Sequence, residues 1–331
     1  MAMTDSGNIL AVGGDELDRL TDLPINVIHQ IQDHMSIEDA ARMSVLSRTW
    51  RYIWASNPKL VLDTQFFTKR TPSDIIDIIS TILLQHQGAI KSFLVDISKI
   101  HSSQHSVVDE WMLPLSRNGL MDLSIENQNS GNAPYKLPSC VYGVGLESLV
   151  LSNCIFMPPC SFRGFHKLKR LHLMQVSFEL DVATSSLWMP NLEKLSLTLC
   201  SGLRFLNIYA PKVLSLTLLA CGTDPLNMGP FMDSEKLQIF SIVSLNRQDK
   251  AVKLTDLLSS WPNLSLLITT KNLLKSDLQK PTSMSGIKKR PHEVTTFACN
   301  LAKHRKSSTL ESRMLVTSRF VPITANKGPV L

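Results

Sequence analysis

Along the first sixty residues, apolar positions recur at helical spacing. Val27, Ile28, Ile31 and Met35 fall on one face at intervals of one to four residues, which predicts a helix opening at Pro24, where the missing N–H costs nothing in a first turn. Ser36 followed by Asp39 predicts a capped restart through Ala40, Ala41 and Met43, and Ser47 a third helix carrying Trp50, Ile53 and Trp54 at i, i+3 and i+4. Three short helices in so few residues bury little surface of their own. The apolar residues therefore divide between an internal core and a surface for a partner, and for Ile31 and Trp50 either reading stands. Further on, Thr71-Pro72 opens a helix PSDIIDIISTILLQHQ that ends at Gly88.

From residue 90 the helical period gives way to L-x-x-L-x-L triplets. They start at Ile90, Leu120, Leu146, Leu168, Leu192, Val213, Leu237 and, more weakly, Leu264, at intervals of 30, 26, 22, 24, 21, 24 and 27 residues. Eight triplets at this period predict leucine-rich repeats, in which short parallel strands stack into a curved solenoid. Cys154, Cys200 and Cys221 each stand three residues after the last apolar residue of a triplet, the position where such repeats turn an Asn or Cys inward. No ligand spacing accompanies these cysteines, so the expected role is structural, with no metal. The Pro72 helix is read as the N-terminal cap of the array or as its first repeat helix.

The segments Leu23-Pro24, Val27-Ile28, Ile31, Asp39-Ala40-Ala41 and SVLSRTWRYIW at 44–54 resemble a plant-type F-box. Together with WMLPLSRNGLMDLSIE, LESLVLSNCIFMPP and GFHKLKRLHL, the chain over about 17–270 is similar to the plant F-box/leucine-rich-repeat family. That resemblance implies a non-catalytic substrate receptor. Its three helices dock a Skp-type adaptor, which joins it to a cullin-based ubiquitin ligase, and its repeats hold an unknown target protein. The adaptor-contact residues so implied are Leu23, Pro24, Val27, Ile28, Ile31, Val45, Leu46, Trp50 and Trp54. Gln32, where the family prefers an aliphatic residue, and Met35-Ser36, which replaces its usual Leu-Pro, depart from the pattern. They keep open a binding scaffold outside any ligase, and a ligand sensor built on the repeats is a third reading.

Composition sharpens this picture mainly by its distribution. The net charge is +6, yet residues 271–331 alone carry +9 and residues 1–270 carry −3, so the basic excess belongs to the tail. Within it, Lys288, Lys289 and Arg290, then Lys303, Arg305 and Lys306, are spaced like a bipartite nuclear import signal. A solvated basic tail is the alternative, and non-specific attraction to nucleic acid a third, although only Phe297 and Phe320 could stack on bases. Irregular cysteine spacing, no run of 18 apolar residues and no secretory leader lead us to expect a soluble intracellular protein, nuclear and/or cytoplasmic, with no membrane or specific nucleic-acid partner. No HExxH, GxSxG, GxGxxG or P-loop occurs, and no cofactor is expected. His101 and His105, four apart, read as solvated loop residues, and Lys167, Lys169, Arg170 and His172 form the one local basic cluster of the repeats.

The expected class is therefore α/β: a disordered leader at 1–18, an F-box at 19–57, a linker and capping helix at 58–89, leucine-rich repeats at 90–270 and a low-structure basic tail at 271–331.

Overall fold

The computed structural model describes residues 23–68, 70–128, 133–180, 186–203, 206–221, 228–232, 234–243, 252–253, 260–270, 274–275 and 296–300. The chain divides into two compact units, Met1–Asn57 and Pro58–Leu331. The leader, 1–18, and all six residues of the nuclear-import reading lie outside the described residues.

In the first unit, α1 (Ile25–Asp33), α2 (Ile37–Met43) and α3 (Arg48–Ala55) form as the apolar spacing predicts. Ser36 Oγ accepts from the Asp39 amide at 3.1 Å, and Ser47 Oγ accepts from the Trp50 amide at 3.2 Å. Each such cap satisfies an orphan helix donor and contributes about 1 kcal/mol. Ile28, Trp50 and Ile53 make the core, with Leu23 and Met43 packed against it.

The second unit is a parallel-sheet solenoid. Its ladder runs Lys59–Leu62, Ser92–Asp96, Asp122–Glu126, Ser148–Ser152, Arg170–Met174, Lys194–Thr198, Ser215–Leu219, Ile239–Val243 and Leu266–Thr270, all parallel, and Thr296–Asn300 joins the last of these antiparallel. Each triplet supplies one rung, and the rungs match residue for residue: Leu149, Leu171, Leu195, Leu216, Phe240 and Leu267 form one continuous row. Those six side chains are all buried. At about 1.5–3 kcal/mol for each large apolar side chain buried, the row holds neighbouring coils together.

One rung escaped the triplet pattern. Lys59–Leu62 pairs with Ser92–Asp96, burying Leu60 and Leu62, but no leucine precedes it at the template's spacing. Of the two readings of the Pro72 helix, cap or first repeat helix, the second fits: after the single turn α4 (Thr64–Phe67), α5 (Pro72–Gln85) is a crossover between the first two strands of the array. Its capping box is reciprocal: Thr71 Oγ1 accepts from the Asp74 amide at 3.3 Å while Asp74 Oδ2 accepts from the Thr71 amide at 3.2 Å. The next crossover is α6 (His105–Arg117), whose Trp111 Nε1 donates to Ser80 Oγ of α5 at 3.0 Å. Later connections instead form short parallel ladders, Tyr135–Lys136 with Cys154–Phe156 and Ser177–Phe178, and Ser186–Trp188 with Asn207–Tyr209. On the last of these, Trp188 and Tyr209 stack at 4.1 Å, almost parallel.

The turns out of four successive rungs share a device. Asn153, Gln175, Leu199 and Ala220 follow their strands directly and adopt φ of 51–54°, a left-handed conformation that costs a residue with a Cβ about 1–2 kcal/mol. The reversal aims the next side chain inward, and that residue is Cys154, Val176, Cys200 or Cys221. Cys154 Sγ donates to the Ser152 carbonyl at 3.3 Å, Cys200 Sγ to Leu173 at 3.5 Å and Cys221 Sγ to Leu197 at 3.3 Å. Burial pushes the Cys154 thiol up to about 12, and the hydrogen bond with Cys221, then burial, pushes Cys200 up as well. The same hydrogen bond lowers Cys221 to about 7, and all three cysteines bond backbone carbonyls, the structural role expected of them. One coil before Cys154, the fully buried Asn127 does the same work, donating through Nδ2 to Ala133 and Asn153 at 3.2 Å each.

Candidate functional site

The first unit sorts its apolar residues into two sets. Ile28 and Trp50 are each 2% exposed and form the core with Ile53. Ile28 was expected as a contact residue and Trp50 as either core or contact; both lie in the core, because three helices this short need their largest side chains to hold each other. Leu23 packs on that core; Val27, Ile31 and Trp54 are half-buried; Pro24 is exposed.

Val45 and Leu46 behave differently, at 79% and 72% exposed. They sit in the turn between α2 and α3, where consecutive hydrogen bonds wind the backbone tightly: Ser44 N to Ala41 O at 3.1 Å, Val45 N to Arg42 O at 3.1 Å and Leu46 N to Met43 O at 3.0 Å. Ser44 Oγ also donates to Ala41 O at 2.5 Å. The backbone is thereby fixed and both side chains are held in water, where each forgoes about 1.5–3 kcal/mol of burial. Val45 and Leu46 are thus an adjacent pair of exposed aliphatic side chains on a pinned turn. Ile25 and Tyr52, 48% and 61% exposed, were not singled out from sequence. Their signal was available: Ile25 is the first residue of α1, and Tyr52 falls between Trp50 and Ile53, off the face those two bury.

Gln32 is the misfit of this unit. It is 3% exposed, and neither Oε1 nor Nε2 has a hydrogen-bond partner. An unsatisfied buried amide costs about 1–3 kcal/mol. Gln32→Leu is therefore expected to stabilise the first unit by that amount, read in the full-length chain as slower hydrogen exchange across α1–α3. Unchanged or faster exchange would show that the amide is satisfied in solution.

In the second unit, the residues between the buried leucines line the open face of the sheet. Lys169 Nζ lies 2.7 Å from Glu147 Oε2, and Arg170 Nη2 lies 3.4 Å from Asp122 Oδ1. The bond from Lys169 lowers the Glu147 carboxyl, and Glu147 in turn raises Lys169. Of the remaining basic cluster, Lys167 and His172 are exposed. His101 accepts from the Ser103 amide at 3.3 Å, whereas His105, expected in solvent, packs edge-on to Tyr135 at 5.3 Å and is partly buried. Asp109, one turn further along α6, borders a cleft of about 650 Å³ with Lys136, Met157 and Glu179, and Tyr135 Oη donates to Asp109 at 2.6 Å. Among the described residues no three His, Cys, Asp or Glu converge to hold a metal ion, and no helix is long and apolar enough to cross a membrane.

Comparison with known proteins matches both units. Residues 20–62 match the F-box domain family, and residues 82–208 match a family described as the At1g61320/AtMIF1 leucine-rich-repeat domain. Among similar proteins of Arabidopsis thaliana, F-box/FBD/LRR-repeat protein At1g13570 is 35% identical over 212 residues, covering 62% of this chain and 50% of the relative. F-box/FBD/LRR-repeat protein At5g56420 is 27% identical, over 61% of this chain and 49% of its own length. F-box/LRR-repeat protein 13 is 24% identical, over 64% and 48%. The matched region thus spans about half the length of these relatives. No solved structure matches. With an F-box family match at its N-terminus and a leucine-rich-repeat match on the ladder that follows, the chain carries both domains and is similar over that region to F-box/LRR-repeat proteins of Arabidopsis thaliana.

Proposed function

We propose that the protein is the substrate-receptor subunit of a Skp-adaptor/cullin/F-box ubiquitin ligase. The F-box docks the adaptor, and the repeats hold a target protein for ubiquitination. The observation that carries this reading is the pinned turn that keeps Val45 and Leu46 in solvent. The proposed contact surface is Pro24, Val45 and Leu46, with Val27, Ile31 and Trp54 at its half-buried margin. Leu23, Ile28 and Trp50 support it from the core. The receptor performs no chemistry itself; it raises the local concentration of target beside the ubiquitin-carrying enzyme. Support for the repeats as the target-binding part comes from their polar open face and their extended form.

Affinity purification of the tagged full-length chain from plant cells under proteasome inhibition tests the proposal. Recovery of both a Skp-type adaptor and a cullin is expected. Adaptor without cullin would favour a scaffold outside the ligase, and neither would refute adaptor docking. We also propose a nuclear and/or cytoplasmic location with the 288–306 basic residues directing import. Deleting 286–306 from a fluorescent fusion should then lower its nuclear fraction, and an unchanged fraction would remove that role.

A further inference from the structure

Resting on the reading of the repeats as target-binding, we infer that the open face of the sheet at Arg170–Met174 and Lys194–Thr198 takes an acidic segment of the bound protein, with Arg170 and Lys194 as its cationic anchors. The register puts Lys194 directly beside Arg170, and Ser196 beside His172. Neighbouring parallel strands lie about 4.8 Å apart, so two cations are held side by side in an arrangement that like-charge repulsion disfavours. Neither charge is well answered from within. Arg170 reaches Asp122 at 3.4 Å, with both side chains about half exposed, at 56% and 43%, a geometry in which solvent screens most of the attraction. Among the described residues no carboxylate pairs with Lys194. Lys169, on the adjoining edge, differs: its 2.7 Å pair with Glu147 answers its charge locally.

The surroundings suit carboxylates. Arg170 Nε donates to Ser148 Oγ at 3.3 Å, which fixes the guanidinium while further N–H donors remain free. On the far side of Lys194 the register places Ser215, and beside Ser196 it places Thr217. Hydroxyls thus flank the cations along the direction an extended segment would take across the strands. The patch is two cations wide and bordered by Asp122, Glu147 and Glu193. A polyphosphate backbone needs a longer run of positive charge and would be repelled by that border; a short run of Asp and Glu fits within it.

The probe is a fluorescein-labelled Gly-Ser-(Asp-Glu)2-Ser-Gly peptide, titrated into the full-length protein at low ionic strength, with its (Asn-Gln)2 counterpart and a duplex oligonucleotide in parallel. Saturable binding of the acidic peptide alone is expected, weakening with salt. Arg170→Glu/Lys194→Glu should weaken it by about tenfold or more. Asp122→Asn, which removes the competing carboxylate, should tighten it about threefold, a gain that a misfolded variant would not produce. Lys169→Ala should change it less than about twofold. Binding unaffected by the double reversal, absence of saturable binding, or tighter binding of the duplex through the same residues would each overturn the assignment. Capture of a purified Skp-type adaptor, measured on every variant, separates the outcomes: adaptor docking that persists while peptide binding is absent sinks this inference and leaves the receptor reading standing.

Discussion

Val45→Glu/Leu46→Glu abolishes adaptor capture while leaving the fold intact: that is the expected result of placing two carboxylates on the pinned turn of the F-box. Because both side chains already stand 79% and 72% exposed, the substitution removes no internal contact, and its effect on stability should stay within about 0.5 kcal/mol, the range of ordinary surface changes. Its effect on binding is far larger. An apolar anchor at the centre of an interface is worth about 2 kcal/mol or more, so losing even one weakens binding by about 30-fold, before the cost of burying two charges. Ile28→Ala supplies the contrast. It opens a cavity in a three-residue core, costs about 2–5 kcal/mol, and should lose adaptor capture together with the protection of α1–α3 from hydrogen exchange. Capture assays with a purified adaptor, paired with hydrogen exchange, distinguish the two mechanisms. Full capture by the double-Glu variant would move the docking surface elsewhere.

Gly164→Ala is expected to be the most damaging single methyl group in the repeat unit, at about 3–5 kcal/mol. Gly164 has φ of 130°, and a Cβ there would run into the backbone of Trp188, approaching its nitrogen at 2.5 Å and its carbonyl carbon at 2.7 Å, with the carbonyl oxygen closer still. The neighbouring Arg163 carbonyl accepts from the Trp188 amide at 2.7 Å, so the two segments cannot separate without breaking that bond. A backbone cannot rotate aside as a side chain can. The strain would reach the Ser186–Trp188 and Asn207–Tyr209 ladder and the Trp188–Tyr209 stack on it. Gly143→Ala is the matched control, since a Cβ there meets nothing within 4 Å. Urea unfolding should show a clear fall in midpoint for Gly164→Ala and almost none for Gly143→Ala. Equal midpoints would refute the close approach.

Much of this architecture was readable in advance, for a physical reason. The eight triplets forecast eight rungs because alternate residues of a strand share a face, so a buried row must be written as leucine at every second position. The capping serines were equally visible, since an orphan amide needs an oxygen at a fixed distance in sequence. The Lys59–Leu62 rung was not, because its lead-in is Asn57-Pro58 and carries no leucine. Nor were the left-handed residues. Leu199 and Ala220 have no intrinsic preference for positive φ, and the ladder on either side imposes it. The division of the F-box into core and surface was legible only in part: spacing identifies one face of a helix, but whether that face meets its own unit or a partner depends on how three helices settle together. Arg170 and Lys194 lie 24 residues apart, and only the register of two strands makes them neighbours.

The ladder keeps its residue-for-residue register although its coils differ by as much as twelve residues in length, from 21 to 33. All of that variation is absorbed in the connections, and none reaches the columns of the sheet. Length and recognition are therefore separate quantities in this molecule. A connection can be shortened or enlarged without shifting one column against another, while a single-residue insertion inside a rung would turn every later side chain of that strand to the opposite face. Engineers altering what the sheet recognises can work on its columns, and those adding a tag or a reporter can work on its connections, without either change disturbing the other.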